Sequence, residues 1–349
     1  MIEQRSRLWQ ALQRQIALLP PDLLRLGERL RRPVVEQESP PPPEPEEPRR
    51  IGLVLGGGGG KGGAHLGVLA ALEQLEVPID LIAGTSIGGA VGVLYAAGLS
   101  VEEIGRAFTG FTLRRIATPD PSRTGLLGSR KREAFLRELL GDRTFADLRV
   151  PCAVTTVDLA SGRVVVIDEG PLVPALMATT ALPGIFPPVV RGDEVLCDGG
   201  TLNNLPIDVV ERMGAGRVVA VQLVDSGEGW TLSFATPTGP LARLTVAPRQ
   251  FELAQRAVAV MVAHATEMEL RQHPPALLLK PDVGEIGILD MARPDAGLRA
   301  GASVALAAEE ELCKLRAWRL AVELGVPDER ELLSAPAAPT PPHAAAQAG

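Results

Sequence analysis

The chain has 349 residues, of which 46% are hydrophobic, enough for one large domain or two ordinary ones with a sizeable core. Its formal net charge of −7 argues against nucleic acid as a partner, because phosphate backbones bind basic faces. The three cysteines are far apart and odd in number, which disfavours a zinc ribbon or a disulfide framework. We therefore expect a protein of a reducing compartment that needs no metal and no cofactor.

Residues 1–33 form a basic N-terminal segment, with seven arginines against three acidic side chains and thus a net charge of +4. An amphipathic helix is predicted here from four apolar side chains on one helical face, Leu8, Trp9, Leu12 and Ile16. Such a helix is expected to contact a membrane surface or a partner, and a helix packed on the protein's own surface fits the pattern equally. The segment lacks the apolar core of a secretory signal, so we expect a cytoplasmic protein, peripheral at the inner face of the membrane.

Three further regions follow the basic segment. Residues 34–50 are rich in proline and glutamate and predict a stiff linker. Residues 326–349 include a stretch of alanine and proline and predict a disordered tail. Residues 51–325 lie between these regions and predict one domain.

Short apolar runs alternate with helical patterns along this domain. Strands are predicted at residues 51–55, 79–83, 152–157, 163–167, 194–197, 217–224 and 276–280. Helices are predicted at about residues 63–76, 172–180, 206–213, 250–272 and 298–320. A further helix should begin after Ser100, which forms a capping box with Glu103. The alternation predicts an α/β fold with a mostly parallel sheet and helices on both faces.

The stretch from Leu81 to Leu99 contains no charged residue and has a G-x-x-x-G spacing, so a transmembrane helix is one interpretation. Five glycines interrupt it, together with Thr85 and Ser86. These residues favour a short buried strand, a tight turn and a helix.

A run of five glycines, Gly56 to Gly60, precedes Lys61 between a strand and a helix. A Walker A loop fails at both ends, because Leu55 stands where the first glycine is needed and Gly62 where Ser or Thr is needed. A dinucleotide fingerprint G-x-G-x-x-G fits the glycines, but the second strand lacks an acidic residue at its end. Nucleotide binding is therefore the weaker interpretation.

The motif GTSIG, Gly84 to Gly88, lies between a predicted strand and a predicted helix. This context is typical of a nucleophile elbow, in which a tight turn lifts the serine hydroxyl off the sheet. The turn requires small residues at Gly84 and Gly88, because side chains there would meet neighbouring backbone. Ser86 is thus the candidate nucleophile, with a chance glycine-serine turn as the alternative.

The motif DGGTLNNLP begins at Asp198, directly after a short strand. A carboxylate at a strand end, followed by Gly199 and Gly200, can approach another loop closely. The alternative is an ordinary Asp-Gly turn without function. The neighbouring Cys197 is expected to be a small buried hydrophobe rather than a nucleophile.

The Ser-Asp-His order of α/β-hydrolases would need a histidine on a loop after a late strand. Of the four histidines in the chain, only His273, before two prolines, has such surroundings. A dyad of Ser86 and Asp198 is therefore favoured. A serine that attacks an acyl carbonyl creates an oxyanion, and backbone N–H groups of a polyglycine loop can stabilise this charge. Lys61 is expected to orient that loop or to add positive charge. Desolvation of the site should raise the basicity of Asp198.

Four stretches together resemble the patatin-like phospholipase family, in particular the bacterial branch of the neuropathy-target-esterase type. They are GGGGKG at 57–62 followed by AHLGVL, GTSIG at 84–88 followed by GAVGVLYAAG, ATTALPGIFPPV at 178–189, and DGGTLNNLP at 198–206. Their order and spacing match over residues 51 to about 320. Lys61 stands where many members have arginine, which keeps the charge but loses the planar fork.

The resemblance implies a three-layer α/β/α domain and an acyl hydrolase with a Ser-Asp dyad. It implies Ser86 as the nucleophile and Asp198 as its base. It also implies an oxyanion hole built from Gly57, Gly58, Gly59, Gly60, Lys61 and Gly62. We expect a serine esterase of the phospholipase A or lysophospholipase type that acts on acyl lipids. The alternative is a non-catalytic module that binds lipid or a partner on the same fold.

Overall fold

The computed structural model describes residues 49–110, 118–119, 124–224, 249–287 and 294–321 of the chain. The predicted basic segment 1–33, nearly all of the linker 34–50 and the tail 326–349 lie outside the described residues. Their predicted boundaries, and those of the domain 51–325, stay predictions.

Eight strands of the described residues form one sheet. They are β1 Ile51–Leu55, β2 Leu81–Thr85, β3 Cys152–Asp158, β4 Arg163–Ile167, β5 Val189–Arg191, β6 Glu194–Asp198, β7 Arg217–Val221 and β8 Leu277–Leu279. Hydrogen-bonded neighbours follow the path β5-β6-β3-β2-β1-β7-β8, and β4 also pairs with β3. Along this path, β6 and β2 both pair with the same edge of β3. Strands β8, β7, β1, β2 and β3 are parallel, whereas β4 and β6 run antiparallel to β3. The predicted mostly parallel sheet is confirmed.

Nine α-helices accompany the sheet in the described residues. They are α1 Gly63–Gln74, α2 Ile87–Ala96, α3 Val101–Gly110, α4 Arg130–Leu140, α5 Leu172–Thr179, α6 Ile207–Arg212, α7 Arg249–Gln272, α8 Pro294–Ala307 and α9 Glu309–Leu320. The predicted capping box is present at the start of α3, where the main-chain N–H of Ser100 donates to Glu103 Oε2 at 2.8 Å and that of Glu103 donates to Ser100 Oγ at 3.2 Å.

Two sequence-based expectations need correction, and two elements were not predicted. The strand predicted at 79–83 is β2, Leu81–Thr85, because Gly84 and Thr85 extend its pairing with β3. The single helix predicted at 298–320 is two helices, α8 and α9, separated by Ala308. Helix α4 and strand β5 were not predicted. Helix α4 is mostly charged, and its short apolar stripe was missed for that reason. Strand β5 has only three residues, too few for a hydrophobic period.

Helices cover both faces of the sheet, which confirms the three-layer α/β/α fold. Leu53 and Leu55 of β1 belong to one core, which also contains residues of α1, α2, α5 and α8. Val54, between them in the chain, belongs to a second core with residues of α6. Alternate residues of a strand face opposite sides of the sheet, so one buried strand contributes to two cores.

Helices α1 and α8 pack closely against each other at glycine positions. A Cβ atom added to Gly67 of α1 would collide with the carbonyl oxygen of Leu298, and one added to Gly301 of α8 would collide with that of Ala64. Small residues at such positions let two helix backbones approach closely. Helix α1 directly follows the glycine run, so this contact also fixes the loop's position.

Strands β2 and β6 meet end to end along one edge of β3. Residues 152–155 of β3 pair with β2 in parallel, and residues 156–158 pair with β6 in antiparallel orientation. Strand β4 pairs with residues 154–158 and therefore occupies the opposite edge. The carboxyl ends of β2 and β6 consequently point toward each other, with Thr85 opposite Thr155 and Asp198 opposite Thr156.

Candidate active site

Ser86 occupies the turn between β2 and α2 with φ 56° and ψ −123°. A positive φ is uncommon for a residue other than glycine and is characteristic of strained functional turns. A Cβ atom on Gly84 would lie 2.6 Å from the Gly89 nitrogen, and one on Gly88 would collide with the carbonyl oxygen of Leu55. The turn therefore leaves no room for a side chain at Gly84 or Gly88.

The hydroxyl of Ser86 donates a hydrogen bond to the Asp198 carboxylate, with 2.5 Å between Oγ and Oδ2. The other carboxylate oxygen, Oδ1, accepts from the main-chain N–H of Gly200 at 2.8 Å. The end-to-end meeting of β2 and β6 therefore places the predicted nucleophile and base in direct contact. Both oxygens of the carboxylate are engaged, which fixes the orientation of Oδ2 toward the serine.

Asp198 is only 3% exposed, and burial raises its pKa to about 6. The hydrogen bonds from Ser86 and Gly200 and the positive charge of Arg132 oppose this effect by favouring the carboxylate. A carboxylate with a pKa near 6 is a stronger base than an ordinary aspartate and is still ionised at neutral pH. The expected rise in basicity is thus present.

Gly199 and Gly200 allow the loop after Asp198 to pack tightly. A Cβ atom on Gly199 would lie 2.5 Å from the Thr155 carbonyl oxygen, and one on Gly200 would lie 2.9 Å from Asn204 Oδ1. The same loop is tied to β2, because the Thr85 hydroxyl donates to the carbonyl of Asn203 at 2.8 Å. This packing prevents the loop from carrying Asp198 away from Ser86.

The glycine loop faces Ser86 with only part of its predicted length. Gly57, Gly58 and Gly59 line the same pocket as Ser86 and Asp198. Gly60, Lys61 and Gly62 belong to a 3-10 turn, Gly59–Gly62, and do not line that pocket. The N–H of Gly57 donates to the Asn204 carbonyl at 3.0 Å. In the described part of the chain, no main-chain acceptor is recorded for the N–H groups of Gly58 and Gly59.

Lys61 is buried and its ammonium donates to the carbonyl of Leu223 at 3.3 Å. Burial lowers the pKa of this group. Leu223 in turn packs against Gly58, where an added Cβ atom would lie 2.8 Å from the Leu223 Cβ. The side chain therefore ties the loop to the segment after β7, in agreement with the orienting role expected from the sequence.

An apolar pocket opens above the Ser-Asp pair. Its lining includes Leu94, Phe108, Phe135, Leu176 and Val262 from α2, α3, α4, α5 and α7, and Phe186 from the loop after α5. A mostly apolar concave site with a few convergent polar groups is the usual form of a small-molecule site. A pocket of this composition can hold an apolar group beside the Ser86 hydroxyl.

None of the described histidines is hydrogen-bonded to Ser86. His65 is buried and its Nε2 contacts the Gly56 carbonyl at 2.7 Å, and burial lowers its pKa to about 4, so it is neutral. His264 is exposed on α7, and His273 pairs with Glu211 at 2.6 Å. His343 lies outside the described residues. Cys197 is buried, and burial raises its pKa to about 11, as expected for a structural thiol.

Three residues that touch the site were missed from the sequence. They are Arg132, Thr179 and Asn204. Thr179 accepts the main-chain N–H of Ser86 at 2.9 Å, and Asn204 lines the pocket beside the glycines. Asn204 and Thr179 lay within recognised stretches, 198–206 and 178–189, but no role was assigned to either. Arg132 comes from α4, a helix that was not predicted. One signal was available for Arg132, because it stands on the stripe of α4 that also holds Leu136 and Leu140.

Within the described ranges, no helix is long and apolar enough to cross a membrane, and Leu81–Leu99 is divided between β2 and α2 as the glycines indicated. The same ranges contain no cluster of three His, Cys, Asp or Glu side chains that could hold a metal ion.

Comparison with known proteins gives matches over this region. The Patatin model, described as patatin-like phospholipase, matches residues 53–210, a range that contains all three motifs. An uncharacterized NTE family protein of Mycobacterium tuberculosis is 31% identical over 264 residues, which are 71% of this chain and 44% of that protein. Patatin-like phospholipase domain-containing protein 6 of Mus musculus is 32% identical over 177 residues, 48% of this chain and 13% of that protein. The chain thus spans less than half the length of these relatives.

A solved structure is also similar. The crystal structure of VipD from Legionella pneumophila superimposes with a TM-score of 0.43 at 16% sequence identity and covers 75% of this chain and 67% of that one.

Proposed function

Because this chain carries a patatin-like phospholipase domain, matched over residues 53–210, with relatives of the NTE type, we propose that it is a serine acyl hydrolase of (phospho)lipids. The resemblance stated from the sequence is confirmed at the level of the family. The reaction, the dyad and the substrate are the proposal, of the phospholipase A or lysophospholipase type.

One observation carries the proposal. The hydroxyl of Ser86 donates to a buried carboxylate, Asp198 Oδ2, at the floor of an apolar pocket. A hydroxyl is a weak nucleophile by itself and requires an adjacent base. A protein that only bound lipid would gain nothing from a strained serine hydrogen-bonded to a carboxylate whose pKa is raised to about 6.

Acylation follows from this geometry. Ser86 Oγ attacks the ester carbonyl carbon while its proton moves to Asp198 Oδ2, and the carbonyl oxygen becomes an oxyanion. The N–H groups of Gly58 and Gly59 can stabilise this charge. The carbonyl then re-forms, the bond to the alkoxy group breaks, and Asp198 returns the proton to the leaving alcohol or lysolipid. The acyl group remains on Ser86.

Deacylation repeats the same steps with water. Asp198 takes a proton from a water molecule, the hydroxide oxygen bonds to the acyl carbon, and Ser86 Oγ leaves with the proton that Asp198 returns. The products are a carboxylic acid and the free enzyme. A carboxylate is a weak base toward a hydroxyl proton, so this mechanism depends on strong stabilisation of the oxyanion. With that stabilisation, no histidine is needed.

A lipid panel tests this proposal. The purified chain is assayed with phospholipids, lysophospholipids and soluble short-chain acyl esters, and release of free fatty acid is measured. We expect hydrolysis of at least one acyl lipid, because the pocket is lined mainly by apolar side chains. Binding of lipid vesicles without release of any acid from the whole panel would favour the non-catalytic module instead.

The oxyanion role of the glycine loop predicts a specific loss. Gly58→Val should lower kcat by about 10²–10³-fold, the usual effect of a lost oxyanion donor, because its side chain would displace the loop from Leu223. Gly105→Ala in α3 is the matched control, since its Cβ would meet only Leu66 Cδ1 at 3.8 Å. Thermal unfolding of both variants checks the fold. Normal turnover by folded Gly58→Val would exclude this role.

We also propose that the basic segment 1–33 holds the protein at the inner face of the membrane. Its net charge of +4, seven arginines against three acidic residues, suits an anionic lipid surface. A chain without residues 1–33 is expected to sediment less with anionic liposomes, most clearly at low salt, and to retain activity on a soluble ester. Equal sedimentation of the two forms would instead indicate a helix packed on the protein itself.

A further inference from the structure

Arg132 is buried in the wall of the apolar pocket. It is 1% exposed and is the largest fully buried side chain among the described residues. A charged side chain is rarely buried to this extent unless it is paired, because desolvation of the charge is costly. Burial lowers its pKa to about 10, so the guanidinium still carries its charge at neutral pH.

The guanidinium binds the carboxyl end of α5. Nη1 donates to the carbonyl of Thr180 at 2.7 Å and to its hydroxyl at 3.1 Å, and Nη2 donates to the carbonyl of Met177 at 3.2 Å. The same group stacks on the ring of Phe186 at 4.2 Å. The last carbonyls of a helix lack partners within it, so an arginine here satisfies them and fixes the helix end.

The helix end that Arg132 holds touches both members of the dyad. The Thr179 hydroxyl accepts the main-chain N–H of Ser86 at 2.9 Å and donates to the carbonyl of Thr155 at 2.7 Å. The carbonyl of Ala181 accepts the main-chain N–H of Asp198 at 3.0 Å. Residues 177–181 thus contact the backbones of the nucleophile and of the base on either side.

We propose that Arg132 is a positioning residue of the active site, whose guanidinium clamps residues 177–181 and through them sets the approach of Ser86 to Asp198. This inference rests on the proposed function and adds a residue to it. The geometry requires a planar fork with several donors, which lysine does not supply.

The charge of Arg132 supplies a second, separable effect. In the described residues, the groups that act on the Asp198 carboxyl are the Ser86 hydroxyl, the Gly200 N–H and the Arg132 charge. The adjacent Cys197 thiol is neutral, since its pKa is raised to about 11. Removal of the positive charge should therefore raise the pKa of Asp198 further and make the base ionise at a higher pH.

Two substitutions separate the fork from the charge. The measured quantity is the rate of covalent labelling of Ser86 by a fluorophosphonate, followed from pH 4 to 9, because this rate does not depend on the lipid substrate. Arg132→Lys keeps the charge and loses the fork, so the rate should fall by about 10²-fold, as for a misplaced reacting group, with the acid limb of the profile unmoved. Arg132→Met loses both, so the limb should also move up by about one pH unit or more.

Arg137→Met is the matched control on the same helix, since its exposed side chain pairs with Glu133. It should retain the wild-type rate and profile. The inference is overturned if folded Arg132→Lys labels at the wild-type rate, or if Arg132→Met lowers the rate only in proportion to its folded fraction with the limb in place. If Arg132→Met does not fold, the rate of Arg132→Lys alone decides.

The failure of this inference and that of the proposed function are distinguishable. A wild-type chain that is labelled at Ser86 but hydrolyses no acyl lipid would contradict the proposed function. The labelling rates of the Arg132 variants would still test the positioning role of Arg132. A wild-type chain that hydrolyses lipids, with Arg132 variants that match it, would contradict the clamp alone.

Discussion

Ser86→Ala is expected to abolish both ester hydrolysis and fluorophosphonate labelling. Loss of a serine nucleophile from such a site costs about 10⁶-fold in kcat, since the remaining groups cannot form the acyl-enzyme. The fold should survive, because the main-chain N–H that donates to Thr179 is unchanged and only the hydroxyl is removed. The residual strain at this position remains, as alanine must also adopt φ 56°.

Peptide mapping of the labelled wild-type protein provides the check. The label should be found on Ser86 and on no other serine, and Ser86→Ala should show no label at equal protein concentration. Ser161, on the exposed turn between β3 and β4, offers a control substitution that should leave labelling unchanged. A label mapped to another serine would contradict the assignment of the nucleophile.

Asp198→Asn is expected to lower turnover by about 10²–10⁴-fold, the usual contribution of a general base. The amide keeps the size of the side chain and can still accept from Gly200 and donate to Ser86. Wild-type kcat/KM should rise with pH through about 6, where Asp198 ionises, and this limb should be absent from the variant. His264→Gln and His273→Gln should keep substantial activity. A histidine change as damaging as Asp198→Asn would contradict the dyad.

The same substitution is expected to stabilise the protein at alkaline pH. The pKa of Asp198 is raised from 3.8 to about 6, so the folded state holds the proton more tightly than the unfolded state. Ionisation of the buried group therefore lowers the free energy of unfolding as the pH rises from 4 through 6, by about 3 kcal/mol in total at 1.36 kcal/mol per pKa unit. Denaturant unfolding should show Asp198→Asn as the more stable form at pH 8 and the two as equal near pH 4. Equal stability at pH 8 would show that the carboxylate carries no such penalty.

Much of the site was predictable because its chemistry lies in short motifs at the ends of strands. Gly84 and Gly88 have no room for a side chain because neighbouring backbone occupies the space. The two glycines of the motif indicate this requirement in the sequence itself. The contact of Ser86 with Asp198 was expected from the lack of a suitably placed histidine and from the family resemblance, and no local pattern predicts it. Its physical cause is the end-to-end meeting of β2 and β6 on β3, a pairing register between segments 112 residues apart.

The rest of the site could not be predicted, for a different reason. Arg132 interrupts an apolar stripe in a charged helix, and it donates to main-chain carbonyls. Because every residue has a carbonyl, the sequence does not indicate which ones an arginine will bind. Only Gly57, Gly58 and Gly59 of the predicted oxyanion loop line the pocket, and this could not be predicted for a similar reason. Which N–H groups face the pocket depends on the 3-10 turn that begins at Gly59, and a run of glycines gives no indication of where a turn begins.

The close contact of α1 and α8 has a consequence for how the protein folds during synthesis. Ala64 touches Gly301, so a helix formed early in the chain waits for a partner more than 200 residues later. At about 5–20 residues per second, a ribosome needs on the order of 10–50 s to make the intervening chain. During that time one face of α1 lacks its cover, and contacts of such long range fold slowly. We therefore expect the glycine loop to reach its final position, and the nascent chain to become active, only after α8 has emerged.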